Sequence, residues 1–301
     1  MPRHYNHDYK SRCIYHITLK KIAEAPPFSY LSGDSANYCL VRNPIGSIIE
    51  KHIRRLPELN PSLRPLQYCV MPDHIHLLLF VVSPIDLPIG NYIGKLKNAI
   101  LQEYRLLSKT EALIFDHDFY DCILHRGRSL DTLYKYIRDN PRRLAVRHAH
   151  PEFFRRVNEL KIGERTYQAY GNFQLLDNPF KEQVIVHRAD TPEIHRSNRE
   201  SWLHTAANGG VLVSPFISPD EKVIRAEAEE SGGRIILIIN RPIDSRYKPI
   251  GHDFDLCESG RLLIISANLD DNLNRSACLT MNSLAEEICK EITSESKSYN
   301  Y

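Results

Sequence analysis

A chain of 301 residues exceeds what one hydrophobic core usually serves, so two domains are expected. Its 42% hydrophobic and 25% charged residues are those of an ordinary globular protein and exclude a disordered or collagen-like chain. The net charge of +2 hides an asymmetry: residues 1–150 carry 21 Lys and Arg against 14 Asp and Glu, net +7, whereas residues 151–301 carry 18 against 23, net −5.

A basic first half suits a polyanionic partner, nucleic acid first among them, although a mildly basic enzyme surface has the same charge. The seven cysteines are scattered, with no Cys-x-x-Cys, which fits free thiols in a reducing compartment. No window reads as a membrane span and the first residues carry no apolar core of a signal peptide, so a cytoplasmic protein is expected.

In chain order, Cys13 to Lys20 alternates as a strand. Pro44 to Leu56 has helical spacing. Leu66 to Met71 and Ile75 to Val82 form two strands hinged at Pro72-Asp73. Ile89 to Leu107 is a long amphipathic helix, and Phe119 to Leu124 a short strand. Leu130 to Asn140 is a helix that Pro141 is expected to stop. The order β-α-β-β-α-β-α predicts an α+β domain, antiparallel sheet with helices, over residues 1–150. Residues 151–180 read as a charged junction. Residues 181–301 read as an α/β domain: strands at Gln183–His187, Val211–Val213, Arg234–Asn240 and Arg261–Ser266, and helices at Ile194–Ala207 and from Ser218 to about Glu230.

The chemistry concentrates in Met71-Pro72-Asp73-His74-Ile75-His76-Leu77. Residues two apart on a strand share a face, so His74 and His76 leave the sheet side by side. Paired imidazoles are costly in a core unless each has a partner, and together they make two thirds of a divalent-metal site. Exposed histidines at a strand end are the plainer reading of such a pair alone. The second element is Tyr136-Ile137-Arg138-Asp139-Asn140-Pro141, in which Tyr136 and Asn140 are neighbours on one helix face. A phenol beside a carboxamide, set against two imidazoles, can attack a phosphate that a divalent ion polarises. Nitrogen and carboxamide donors suit Mg²⁺ or Mn²⁺. The plainer alternative packs Tyr136 in the core and uses Asn140 as a helix cap.

These motifs, with Phe119-Tyr120-Asp121 between them, resemble the IS200-like single-tyrosine transposases, and more closely the REP-associated branch of these HUH nucleases. The resemblance covers roughly residues 5–150. It implies a ferredoxin-like HUH nuclease domain with His74, His76 and Asn140 as metal ligands and Tyr136 as nucleophile. It further implies single-stranded or hairpin DNA as substrate, a 5′-phosphotyrosine intermediate and a nucleoid-associated bacterial protein. Tyr134 is a rival nucleophile on a different helix face. Arg126, Arg128, Arg138, Arg142 and Arg143 are the expected phosphate contacts around the helix.

Members of that family are often about half this length. Residues 205–290 more distantly resemble the Rossmann-like domain of DNA-processing protein A, through Val211-Leu212-Val213-Ser214 and Gly232-Gly233-Arg234-Ile235-Ile236. A capped helix start after a strand makes Ser214, Ser218 and Lys222 candidate phosphate or nucleotide contacts, although a scaffolding βαβ turn explains the pattern as well. Three classes of function follow: a single-tyrosine nuclease or transposase, mobile or domesticated; a silent DNA-binding relative; and a metal-dependent hydrolase of another substrate.

Overall fold

Strand pleating decides the first sheet. In β1 (Cys13–Lys20), Tyr15, Ile17 and Leu19 point to one face, and His16 and Thr18 to the other. In β5 (His74–Val81), Ile75, Leu77, Leu79 and Val81 share the first of those faces, leaving His74, His76 and Leu78 on the second. The computed structural model describes residues 6–109, 113–124, 129–245, 247–269 and 273–290. The chain divides into two compact units, Met1–Ala149 and His150–Tyr301.

In the first unit four antiparallel strands run in the order β4-β5-β1-β6, with β4 at Leu63–Val70 and β6 at Tyr120–Ile123. Helices α1 (Pro44–Arg54) and α3 (Ile89–Ser108) pack together and bury Ile45, Ile49, Ile53, Ile93, Leu96 and Ile100 against the apolar face. A four-residue turn of helix, α2 (Leu56–Leu59), leads into β4. Pro65 is tolerated because β4 is an edge strand with a register shift between Pro65 and Gln67. A hairpin, β2 (Ser29–Gly33) and β3 (Tyr38–Arg42), which no apolar alternation announced, lies between β1 and α1.

The helix carrying Tyr136 differs from expectation. It is α4 (Leu130–Ala149), and it passes through Pro141. Proline removes one backbone donor and crowds the preceding turn. Nearby, the Asn140 amide nitrogen donates to the Tyr136 carbonyl at 2.8 Å. Beyond the proline, Ala145 and Val146 are buried, and α4 packs on β4 and the β2–β3 hairpin. That tertiary burial carries the helix past a residue that would stop an isolated one.

The second unit holds a six-stranded sheet, β7-β8-β12-β11-β10-β9. Residues 151–180, expected as a junction, instead supply β7 (Arg155–Ile162) and β8 (Arg165–Gly171), an antiparallel hairpin whose Leu160, Ile162 and Ala169 are core residues. β7 is an edge strand, in which exposed charged residues alternate with the buried Leu160 and Ile162. The parallel strands β9 (Lys181–Gln183), β10 (Val211–Ser214), β11 (Arg234–Ile239) and β12 (Leu262–Ser266) follow in sequence order.

Crossovers of one hand in one direction put α5 (Pro192–Ala207), α6 (Pro219–Glu230) and α7 (His252–Glu258) on one face, through Trp202, Ile224 and Leu256. On the other face α8 (Arg275–Lys290) packs through Met281, Leu284 and Ile288. The strand order does not reverse among the parallel strands. The crevice at which doubly wound Rossmann folds bind dinucleotides therefore has no counterpart among the described strands. Among the described residues no helix is long and apolar enough to cross a membrane.

Candidate active site

The second face of the β1–β5 pair carries the polar cluster. Register sets Thr18 opposite His76, and Cys69 of β4 opposite His76 on its other side. His74 Nε2 and His76 Nε2 are 3.0 Å apart, with the rings at 83°. The two Nδ1 atoms are engaged elsewhere. His74 Nδ1 is 2.6 Å from Asp73 Oδ1, and His76 Nδ1 is 3.1 Å from His16 Nε2 and 3.3 Å from Thr18 Oγ1. His76 is 5% exposed and His16 9%, whereas the His74 side chain is 21% exposed, so the cluster meets solvent at the His74 end.

Helix α4 lays Tyr136 against this cluster. The Tyr136 ring is 5.4 Å from the His76 ring and 6.0 Å from the His16 ring, both edge-on. Tyr134 lies two positions earlier, about 200° around the helix. Asn140 is buried one turn beyond Tyr136. With its nitrogen donating to the Tyr136 carbonyl, Oδ1 is the amide atom with ligand chemistry.

The arrangement fits a divalent metal. Two bonds of about 2.1 Å meeting at a right angle place their donor atoms about 3.0 Å apart, which is the separation of the two Nε2 atoms. Outward partners on both Nδ1 atoms are the usual support of ligating imidazoles. Among the described residues no three His, Cys, Asp or Glu side chains form a complete cage. The third protein donor would then be the Asn140 carboxamide, with open positions for water or a phosphate oxygen. Burial pushes the thiol of Cys69, opposite His76 in register, up to about 11.

The expected arginine contacts divide. Arg138 is exposed. Arg142 donates from Nε to Asp139 at 2.7 Å. Arg143 is 5% exposed, with its guanidinium 5.8 Å from the centre of the Tyr136 ring. Seven positions make two helical turns, so Arg143 falls on the face of Tyr136 and Asn140. Arg126 and Arg128 lie outside the described residues.

At the candidate phosphate site of the second unit the polar groups are paired within the chain. Ser214 is fully buried and accepts from the Phe216 amide at 3.0 Å. Ser218 caps α6 by accepting from the Glu221 amide at 3.2 Å. The Glu221 carboxylate accepts from the amides of Ile217, Ser218 and Val186 at 2.7, 3.0 and 3.1 Å. The helix start thus already holds an anion, a buried one, and a phosphate there would meet its charge. Lys222 is exposed. His16 and Thr18 are the residues that sequence reasoning missed. The alternation of β1 sets them on its polar face, but which strand they border is a matter of register.

No protein-family model matches the chain. Among curated proteins, an uncharacterized protein of Haemophilus influenzae strain Rd is 24% identical over 163 residues, covering 46% of this chain and 84% of its own length. Among solved structures, a REP-associated tyrosine transposase bound to a REP hairpin is similar over 46% of this chain and 73% of its own, with 13% identity and a TM-score of 0.33. A candidate transposase from Deinococcus radiodurans R1 is similar over 46% of this chain and 97% of its own, with 14% identity and a TM-score of 0.29.

Proposed function

We propose that the first unit is a transposase-type enzyme that nicks and rejoins single-stranded DNA through Tyr136. The observation that carries this reading is the Tyr136 ring set 5.4 Å from His76, whose Nε2 is paired with that of His74. A nucleophile beside a phosphate-polarising centre is the minimal apparatus for phosphoryl transfer. The Tyr136 oxygen gives up its proton and attacks phosphorus, the bond from phosphorus to the 3′ oxygen breaks, and that oxygen leaves as a 3′-OH, so that one proton is lost and one gained. The product is a 5′-phosphotyrosine. One phosphodiester replaces another, so the 3′-OH of a second strand can reverse the step without an external energy source.

In this reading Mg²⁺ or Mn²⁺ is held by His74, His76 and Asn140, and when bound it neutralises charge on the phosphate. Arg143, whose guanidinium lies 5.8 Å from the centre of the Tyr136 ring, is assigned the role of holding that ring in place. By the family resemblance, the substrate is single-stranded DNA next to a hairpin. The second unit is assigned a modulating role, since the net charge of −5 over residues 151–301 disfavours a polyanionic substrate.

The test is a denaturing gel of full-length protein with single-stranded DNA labelled on the 3′ side of candidate cleavage points. The expected result is a label-bearing protein band that requires Mg²⁺ or Mn²⁺ and is lost in Tyr136→Phe. DNA binding without any adduct points instead to a silent DNA-binding protein. Metal-dependent cleavage that survives Tyr136→Phe points to a hydrolase.

A further inference from the structure

We propose that His16, on the strand beside the histidine pair, is a positioning residue that keeps His76 ready to bind metal through Nε2. The proposal rests on the reading of His74 and His76 as metal ligands. A ligating imidazole presents an unprotonated nitrogen to the metal and carries its proton on the other. With both Nε2 atoms committed, both Nδ1 atoms become donors and each needs an acceptor. For His74 that acceptor is the Asp73 carboxylate, 2.6 Å away at the exposed end of the cluster. His76 is buried. Its Nδ1 faces His16 Nε2 at 3.1 Å and Thr18 Oγ1 at 3.3 Å.

The hydroxyl is the longer of the two contacts, so His16 Nε2 is the nearer acceptor for the His76 Nδ1–H. Its place is fixed by the sheet. Thr18 stands opposite His76 in register, and His16 stands one step along the same face, opposite Leu78. The His16 ring also lies 6.0 Å from that of Tyr136, so it packs on the ligand and on the nucleophile together. An apolar residue of similar size would fill the space and leave the His76 Nδ1–H on the longer Thr18 contact. Support of this kind typically changes metal affinity 10- to 100-fold, by about that factor when it is removed.

The test measures binding of Mn²⁺ alone to full-length protein without DNA, reading free Mn²⁺ by electron paramagnetic resonance. His16→Leu is expected to bind about 10- to 100-fold more weakly than wild type. His16→Gln, whose carbonyl oxygen can accept from the same Nδ1–H, is expected to recover most of the loss. A folded His16→Leu protein with wild-type affinity, or a His16→Gln protein as weak as His16→Leu, overturns the proposal. A second measurement needs no variant: in Zn²⁺-loaded wild type, nitrogen NMR should show a coupling across the hydrogen bond from His76 Nδ1–H to His16 Nε2. A His76 with its proton on Nε2 in that state is an equally plain refutation. Unchanged Mn²⁺ binding by the His74→Ala, His76→Ala double variant removes the metal site itself, and the role of His16 with it; that result is distinguishable from failure of His16 alone.

Discussion

Arg138 and Arg143 show how two arginines of one helix can have different consequences for DNA. Arg138 is exposed and free to approach a phosphate, whereas Arg143 is buried against the Tyr136 ring. Arg138→Ala should reduce the salt dependence of DNA binding by about one counterion's worth. Arg143→Met should leave that slope unchanged and lower the stability of the first unit by about 1–2 kcal/mol, through loss of the cation–π contact and its packing. Affinity titrations across salt concentrations, with urea unfolding of the same proteins, separate the two roles. Equal loss of slope in both variants would mean that Arg143 reaches DNA after all.

The thiols give a second residue-scale expectation. Burial pushes Cys69 up to about 11, and Cys257 and Cys289 up to about 12, while Cys39 is exposed. A raised value means that the reactive thiolate forms only as pH climbs toward it, so these three are protonated at pH 8. Iodoacetamide at pH 8 should therefore label Cys39 well before Cys69, Cys257 and Cys289, as read by peptide mass spectrometry. Fast labelling of Cys69 in folded protein would contradict its burial beside His76.

At the scale of elements, α6 shows a helix start that is closed rather than available. Ser218→Ala removes one cap and should cost about 1 kcal/mol. Glu221→Ala strands the half-buried amides of Val186, Ile217 and Ser218 together and should cost more than Ser218→Ala, about 2 kcal/mol or more. Thermal or urea unfolding of the second unit measures both. If Glu221→Ala is neutral and inorganic phosphate then stabilises the protein, the site takes an external anion and the closed description fails.

The cap itself was legible before the structure, because Ser-Pro-Asp-Glu ahead of an apolar-periodic stretch has one local meaning. That the glutamate would reach back to Val186 was not, since that contact depends on how β9 and α6 meet. The same division runs through the first unit. Period-two alternation placed His74 and His76 on one face and helical spacing placed Asn140 with Tyr136. The role of His16 hangs on the β1–β5 register, which neither strand declares by itself. Pro141 misled for a related reason, as its local penalty is outweighed by the burial of Ala145 and Val146.

For the whole molecule, a chain with a basic first half and an acidic second half divides into two units near their boundary. DNA affinity should reside in residues 1–149 and weaken as salt rises. Residues 150–301 should show little affinity for DNA under the same conditions. A modulating second unit should make nicking by full-length protein differ in rate or selectivity from nicking by residues 1–149; identical behaviour of two well-folded proteins would remove that role.

The central claim, that Tyr136 is the nucleophile of a strand-transfer site, is tested most directly by mapping the covalent product. Full-length protein is incubated with single-stranded DNA and Mn²⁺, digested with nuclease and protease, and sequenced by mass spectrometry. The expected result is a nucleotide linked through its 5′ phosphate to Tyr136, absent from Tyr136→Phe and retained in Tyr134→Phe. A remnant on Tyr134, or cleavage with no protein-linked nucleotide at all, would contradict the account.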